Sequence, residues 1–259
     1  MKVLLTGHKG FIGSNLLNKL KKLGHYVYCL EKNDNYEELH LESMVKQCKV
    51  IFHVGAISDT TLQDPNEMLY YNYVLSKRIF DLARKHNVKV VYSSSAANYG
   101  DGNGVPNNIY GWSKLLAEEY GLRTCEKFVA LRYFNVYGPG EEHKGKMASV
   151  AYQAYQKGDF KLFPGDIKRD FVYIDDVVNA NIYASTLERG LFDVGSGNAE
   201  TFENLVGGVG IKYEYHTADK IPVWYQWFTE ADKEKFMPGW FPLYDVSLGT
   251  KKYKEYLEK

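Results

Sequence analysis

The first thirteen residues constrain this chain more than any other stretch. Lys2-Val3-Leu4-Leu5-Thr6 reads as a short buried strand and runs directly into Gly7-His8-Lys9-Gly10-Phe11-Ile12-Gly13. From Ser14 to Leu23 the apolar residues recur at helical spacing. A strand, a glycine turn and a helix in that order predict the start of a βαβ unit. Its turn would let a phosphate approach the backbone N–H groups at the helix N-terminus. A second apolar strand, His25 to Leu30, ends at Glu31, about where an acidic side chain meets the ribose hydroxyls of a bound dinucleotide. The competing interpretation is an ordinary βαβ unit with a tight turn. Three glycines, a strand and an acid falling in place together favour the dinucleotide.

Further apolar runs at Val50–Val54, Val88–Ser93, Phe128–Leu131 and Leu191–Val194 are separated mostly by helical patterns. That alternation predicts an α/β fold: a Rossmann-type, doubly wound parallel sheet covered by helices. After Gly138-Pro139-Gly140 the pieces become shorter and richer in aromatics, including Val223-Trp224-Tyr225-Gln226-Trp227-Phe228. The expected division is therefore a dinucleotide-binding domain over 1–145, with 171–197 returning to it, and a small C-terminal substrate-binding portion over 146–259. Asp101–Asn108, rich in Gly and Asn, reads as a loop over the site.

The 259 residues, 45% apolar and 25% charged, suffice for a sizeable core. The formal net charge is zero, so there is no electrostatic case for nucleic acid or an anionic membrane surface, and any phosphate site must be local. Neither a signal-peptide pattern nor an apolar run of membrane-spanning length is present, which predicts a cytoplasmic protein. Cys29, Cys48 and Cys125 are odd in number and form no C-x-x-C pair. They indicate neither a disulfide framework nor a metal site, and are expected to pack as small apolar residues.

Tyr110 and Lys114 stand four apart in Tyr-Gly-Trp-Ser-Lys, downstream of the run Ser93 to Ala97. On a helix they share a face, so the Lys114 ammonium would favour the Tyr110 phenolate and reach a cofactor ribose, while a serine hydroxyl held the reacting oxygen. With 22 tyrosines in the chain, an ordinary surface pair competes with that interpretation.

Gly7 to Gly13, Ser93–Ser95, Tyr110/Lys114 and Arg132-Tyr133-Phe134-Asn135-Val136-Tyr137-Gly138-Pro139 occur in the order found in the extended short-chain dehydrogenase/reductase family, which the chain resembles over nearly its whole length. Three later segments are similar to its ADP-heptose epimerase branch: His143 to Val150, Lys168 to Tyr173 and Tyr225 to Thr229. The resemblance implies a nucleotide-sugar epimerase that transiently oxidises and re-reduces a sugar carbon, with Tyr110 as one acid/base and Lys144 as the second. It implies that Ser95 holds the sugar hydroxyl and that Lys114 binds the nicotinamide ribose while lowering the pKa of Tyr110. Gly7, Gly10, Phe11, Ile12, Gly13, Glu31, Lys32, Gly55, Ala56, Ser58, Asn72 and Val136 would line the cofactor. Asn135, Lys146, Gln153, Phe163, Arg169 and Tyr225 would face the nucleotide sugar. A guanidinium such as Arg169 suits a diphosphate because its planar fork donates two charge-assisted hydrogen bonds. Relatives self-associate, so a homo-oligomer is expected. Lys144 as a surface lysine, and Lys168 with Arg169 as a solvated pair, are the plainer alternatives.

The chain also departs from that family. The segment between Ser95 and Tyr110 is short, and Val206-Gly207-Gly208-Val209-Gly210 stands where a helix would be expected. Its glycines predict a turn and a more open sugar pocket. Glu31 favours NAD by repelling a 2′-phosphate, whereas Lys9 and Lys32 could neutralise one; the balance leans slightly to NAD over NADP. A net nucleotide-sugar reductase and a noncatalytic dinucleotide-binding module remain the alternative functions. Ala96-Ala97 disfavours a dehydratase, whose branch carries an Asp-Glu pair there.

Overall fold

The computed structural model describes residues 1–32, 34, 38–59, 64–221 and 225–259; Val223 and Trp224 of the aromatic run lie outside them. Its strands are β1 (Lys2–Thr6), β2 (Tyr26–Leu30), β3 (Val50–His53), β4 (Lys89–Ser95), β5 (Phe128–Tyr133), β6 (Asn135–Tyr137), β7 (Phe160–Leu162), β8 (Lys168–Tyr173), β9 (Arg189–Val194), β10 (Ala199–Thr201) and β11 (Tyr213–Tyr215). The helices are α1 (Phe11–Lys22), α2 (Glu38–Val45), α3 (Pro65–Leu69), α4 (Leu75–Lys85), α5 (Ile109–Thr124), α6 (Val150–Lys157), α7 (Ile174–Ala184), α8 (Phe202–Gly208) and α9 (Val246–Leu257). The chain divides into two compact units, Met1–Tyr133 with Val178–Phe192 and Phe134–Val177 with Asp193–Lys259. The sequence placed this boundary at 145/146 and the returning segment at 171–197.

In the first unit the sheet order is β2-β1-β3-β4-β5-β9, and the pairings from β2 through β5 are parallel. The order reverses between β1 and β3, the doubly wound pattern whose switch point opens at the carboxyl ends of those strands. Val3–Leu5, Ile51, Phe52 and Val90–Tyr92 are fully buried. Strands covered on both faces read as continuous apolar runs, which is why the sequence shows no alternation there. Cys48 and Cys125 pack in this core, and Cys29 is half-buried.

Helix α4 buries Leu75, Ser76, Ile79, Phe80, Leu82 and Ala83 at helical spacing. Between α3 and α4, Tyr70–Val74 is wound as a π-turn, with the N–H of Leu75 donating to Tyr70 five residues back. Such a bulge inserts a residue and turns a side chain inward; here Asn72 is inside it and fully buried. Helix α5 is unusual in what it buries: Gly111, Ser113, Lys114, Ala117, Glu118 and Gly121. That face is small or polar, so no apolar stripe announces it. Asn108 starts the helix, accepting from the Gly111 N–H at 2.8 Å.

The second unit holds a three-stranded sheet, β10-β8-β6, and a parallel pair, β11-β7. The turn expected over Val206–Gly210 is instead largely helical: α8 runs to Gly208, with Thr201 accepting from the Asn204 N–H at its start and Leu205 and Val206 buried. The reason is packing. A Cβ on Gly208 would stand 2.2 Å from Thr250 Oγ1 of α9, so glycine permits a close helix–helix approach whose gain exceeds its propensity cost. Past the C-cap Val209 the chain turns away at Gly210, whose φ of +84° suits only glycine without strain. Among the described residues, no helix is long and apolar enough to cross a membrane.

Candidate active site

The glycine turn folds as its sequence requires. Gly7 has φ +70°, and a Cβ there would lie 2.5 Å from Gly55 Cα; one on Gly13 would lie 1.9 Å from the Gly7 carbonyl oxygen. The turn thus presses against both the end of β3 and its own helix. Gly10 is the N-cap of α1 and offers no side-chain cap, and the first turn carries no acidic residue. The N–H groups of that turn are therefore left to an anionic ligand with the helix dipole behind them. Glu31 closes the turn: its Oε1 accepts the Lys9 N–H at 2.6 Å and lies 3.1 Å from His8 Nδ1. Lys32 is exposed, its Nζ 5.4 Å from the centre of the Tyr71 ring. These residues fit a dinucleotide: an uncapped helix start, a cradle no side chain can enter, and a carboxylate at the end of β2.

The segment after β3 passes Gly55, Ala56 and Ser58, the last two exposed. Asn72 grips it, accepting the Ile57 N–H at 2.7 Å and donating to the Ile57 carbonyl at 2.9 Å. The same amide nitrogen lies 3.0 Å from Ser113 Oγ, and that hydroxyl donates to the Tyr110 carbonyl at 2.7 Å. Asn72, expected at the cofactor, therefore also ties this segment to α5.

Ser95 and Tyr110, whose hydroxyls the sequence expected to meet at a sugar oxygen, are hydrogen-bonded to each other through their side chains. Burial pushes the Tyr110 phenol above its ordinary value, and the countervailing pull comes from Ser95. Lys114, 2% exposed, directs its ammonium at the Tyr92 ring, 4.3 Å from the centroid. Its own pKa is brought down to about 7 by burial, with Glu118 opposing.

Beneath this group lies an ion pair that the sequence argument missed. Glu118, one turn beyond Lys114 and fully buried, accepts from Ser94 Oγ at 2.6 Å, Asn98 Nδ2 at 3.1 Å, and Arg132 Nε and Nη2 at 3.1 and 2.5 Å. The guanidinium stacks 4.4 Å from the Tyr99 ring centre. The i, i+4 spacing of Lys114 and Glu118 was the available signal. Pro106 of the 101–108 loop packs at Gly111, where an added Cβ would be 2.8 Å away.

In the second unit, Lys144 sits in a 3₁₀ segment, Glu142–Met147, kinked at Gly145. Burial lowers its pKa and Glu141 opposes that shift. Glu141, which the sequence also left unnoticed, is a fully buried carboxylate receiving Gly138 N, Ser149 N, Ser149 Oγ and Tyr253 Oη. It organises the loop that carries Lys144 and Lys146. Gln153 serves the same loop, donating to the Lys146 and Ala148 carbonyls at 3.2 and 2.8 Å. Asn135 and Lys146 are exposed and Val136 is half-buried.

Arg169 is nearly buried and sits 5.4 Å from the Tyr225 ring centre and 5.9 Å from that of Phe202. Tyr225 meets Phe163 edge-on at 5.2 Å. Two of the guanidinium N–H groups are already committed, to the carbonyls of Lys168 and Gln226. Arg169 thus holds the 225–229 segment to β8 as well as presenting charge beside two aromatic rings.

Sheet order, glycine turn and the Ser95–Tyr110 pair define a Rossmann-type dinucleotide-dependent protein. Residues 3–195 match the model of the NAD dependent epimerase/dehydratase family, and the chain belongs to that family. It is 34% identical over 313 aligned positions to the ADP-L-glycero-D-manno-heptose-6-epimerase of Brachyspira hyodysenteriae, covering 99% of this chain and 98% of that protein. Among solved structures it resembles the Helicobacter pylori ADP-L-glycero-D-manno-heptose-6-epimerase, with a TM-score of 0.85 and 30% identity over 99% of this chain and 96% of that one. It is also similar to the Thermotoga maritima UDP-glucose 4-epimerase with UDP-glucose, with a TM-score of 0.82 and 26% identity over 100% and 99% of the two chains.

Proposed function

We propose that this protein is an NAD(P)-dependent nucleotide-sugar epimerase acting on an ADP-heptose-like substrate. The observation that carries the reading is the hydrogen-bonded Ser95–Tyr110 pair on the same unit as the uncapped glycine-turn helix, in a chain aligned end to end with a heptose epimerase. When bound, the nicotinamide supplies a hydride acceptor that becomes the donor for the return step. Ser95 would hold the reacting sugar oxygen. Tyr110 would take the hydroxyl proton of one epimer as its sugar carbon becomes a carbonyl, and return a proton when that epimer is re-formed. A phenol raised by burial suits the return of the proton, and it relies on the Ser95 hydrogen bond for its removal.

Lys144 is the second acid/base in this reading. An epimerase must handle a hydroxyl presented on either face, and one phenol fixed on α5 serves one of them. Burial lowers the pKa of Lys144, the direction a lysine acting as a base requires. Arg169, Phe163, Tyr225, Asn135, Lys146 and Gln153 are assigned to the nucleotide sugar. The first unit is assigned to the cofactor, with NAD slightly preferred because Glu31 repels a 2′-phosphate. The exposed Trp112 and Leu116 of α5, and the exposed Tyr70 and Val74 ahead of α4, support self-association through these helices. Cytoplasmic location is part of the same reading.

The test is to incubate the protein with NAD or NADP and each ADP-heptose epimer, following product stereochemistry together with absorbance at the nicotinamide band. Inverted product without net absorbance change is expected. A stoichiometric change would make the protein a reductase or dehydrogenase. Equal loss for both epimers in Lys144→Ala and Tyr110→Phe would sink the two-base assignment.

A further inference from the structure

His53, at the end of β3, is 3% exposed and makes two side-chain hydrogen bonds whose directions are set by their surroundings. Thr6 Oγ1 accepts the Gly55 N–H at 2.9 Å, so its single proton is available for His53 Nδ1, 2.8 Å away. Ser76 Oγ donates to the Asn72 carbonyl at 2.6 Å, so toward His53 Nε2, at 2.7 Å, it can only accept. The network therefore assigns one neutral tautomer, with the proton on Nε2 and a lone pair on Nδ1. Burial and the nearby Lys114 charge both act against a second proton.

Thr6 holds Gly55 where Gly7 packs against it. Ser76 bonds back to the π-turn, from which Asn72 holds the N–H and carbonyl of Ile57 and reaches Ser113, whose hydroxyl donates to the Tyr110 carbonyl. We propose that His53 is a positioning residue for cofactor binding: its imidazole sets the distance between the glycine turn, the 55–57 segment and the helix that carries Tyr110. A phenyl ring of similar size would fill the same space yet leave the Thr6 hydroxyl proton without its acceptor and the Ser76 oxygen without its donor inside the protein. An amide of the right reach would restore both partners. The proposal rests on the cofactor assignment and is independent of which sugar is used.

The test measures NAD and NADP dissociation constants by calorimetry on the full chain and on His53→Phe, His53→Gln and a core control, Phe128→Leu, together with their melting temperatures. His53→Phe should weaken cofactor binding roughly 10- to 100-fold, the scale of leaving buried polar groups unpaired. His53→Gln should recover much of that loss, and Phe128→Leu should melt earlier with cofactor affinity unchanged. Unchanged affinity in a folded His53→Phe, or equal loss in the core control, would overturn the proposal. Should His53→Phe fail to fold, ¹⁵N NMR of the unmodified protein decides: the imidazole should show the Nε2–H tautomer from pH 5 to 8, with resonances that shift when NAD is added. A second tautomer, or resonances indifferent to NAD, would overturn it. Absence of NAD and NADP binding in the unmodified protein would overturn the cofactor assignment itself, and the proposal with it.

Discussion

Lys114 aims its ammonium at the face of Tyr92, 4.3 Å from the ring centroid, with burial bringing its pKa down to about 7. The ring and Glu118 support the positive charge, while the surrounding apolar protein opposes it.

This arrangement has a pH signature. The unfolded lysine keeps its proton up to about 10.4, whereas the folded one loses it near 7. Between these values the unfolded state binds more protons, so stability attributable to Lys114 rises with pH from about 7 upward and is lost as pH falls toward 7. Denaturant unfolding of the unmodified protein and Lys114→Met at pH 7 and pH 9 should show the unmodified protein gaining about 2 kcal/mol relative to the variant. A difference independent of pH would place the ammonium in solvent.

Tyr110→Phe keeps the ring and loses the hydroxyl that Ser95 binds. Turnover should fall by roughly 10² to 10⁴, the usual worth of a positioned acid/base, with cofactor affinity unchanged. Parallel loss of both, by stopped-flow kinetics and calorimetry, would contradict the assignment.

Replacing Glu31 by Ala removes a carboxylate that the Lys9 N–H and His8 face. NAD binding should weaken by roughly tenfold, as loss of a charged hydrogen-bond acceptor implies, and NADP binding should improve because a like charge leaves the phosphate position. Unchanged preference in competitive titration would show that Glu31 acts on the loop alone.

Gly208→Ala separates helix propensity from packing. Propensity alone favours alanine by roughly 1 kcal/mol. The contact with Thr250, at 2.2 Å from the added Cβ, predicts instead a loss of about 1–3 kcal/mol from overpacking. Thermal unfolding of Gly208→Ala, with and without Thr250→Ala, measures which term wins, and a gain in stability would refute the packing account of α8.

What the sequence determined by itself were features carried by local pattern. The βαβ start, the parallel sheet and the Tyr110/Lys114 spacing all follow from apolar runs, glycine geometry and helical periodicity. These depend on neighbours within a few residues of one another, so one chain suffices to read them. Contacts across the fold were decided only by tertiary structure. Gly208 is helical because Thr250, forty-two positions away, requires a close approach. Asn72 reaches Ile57 because a π-turn inserts a residue that no propensity marks. The pKa of Lys114 is lowered because desolvation, a property of everything packed around it, acts on its charge. Glu141 and His53 carry no local motif at all, and Glu118 shows only its spacing from Lys114. Their burial and hydrogen bonds arise where distant segments converge, and buried polar groups persist only where those segments supply every partner.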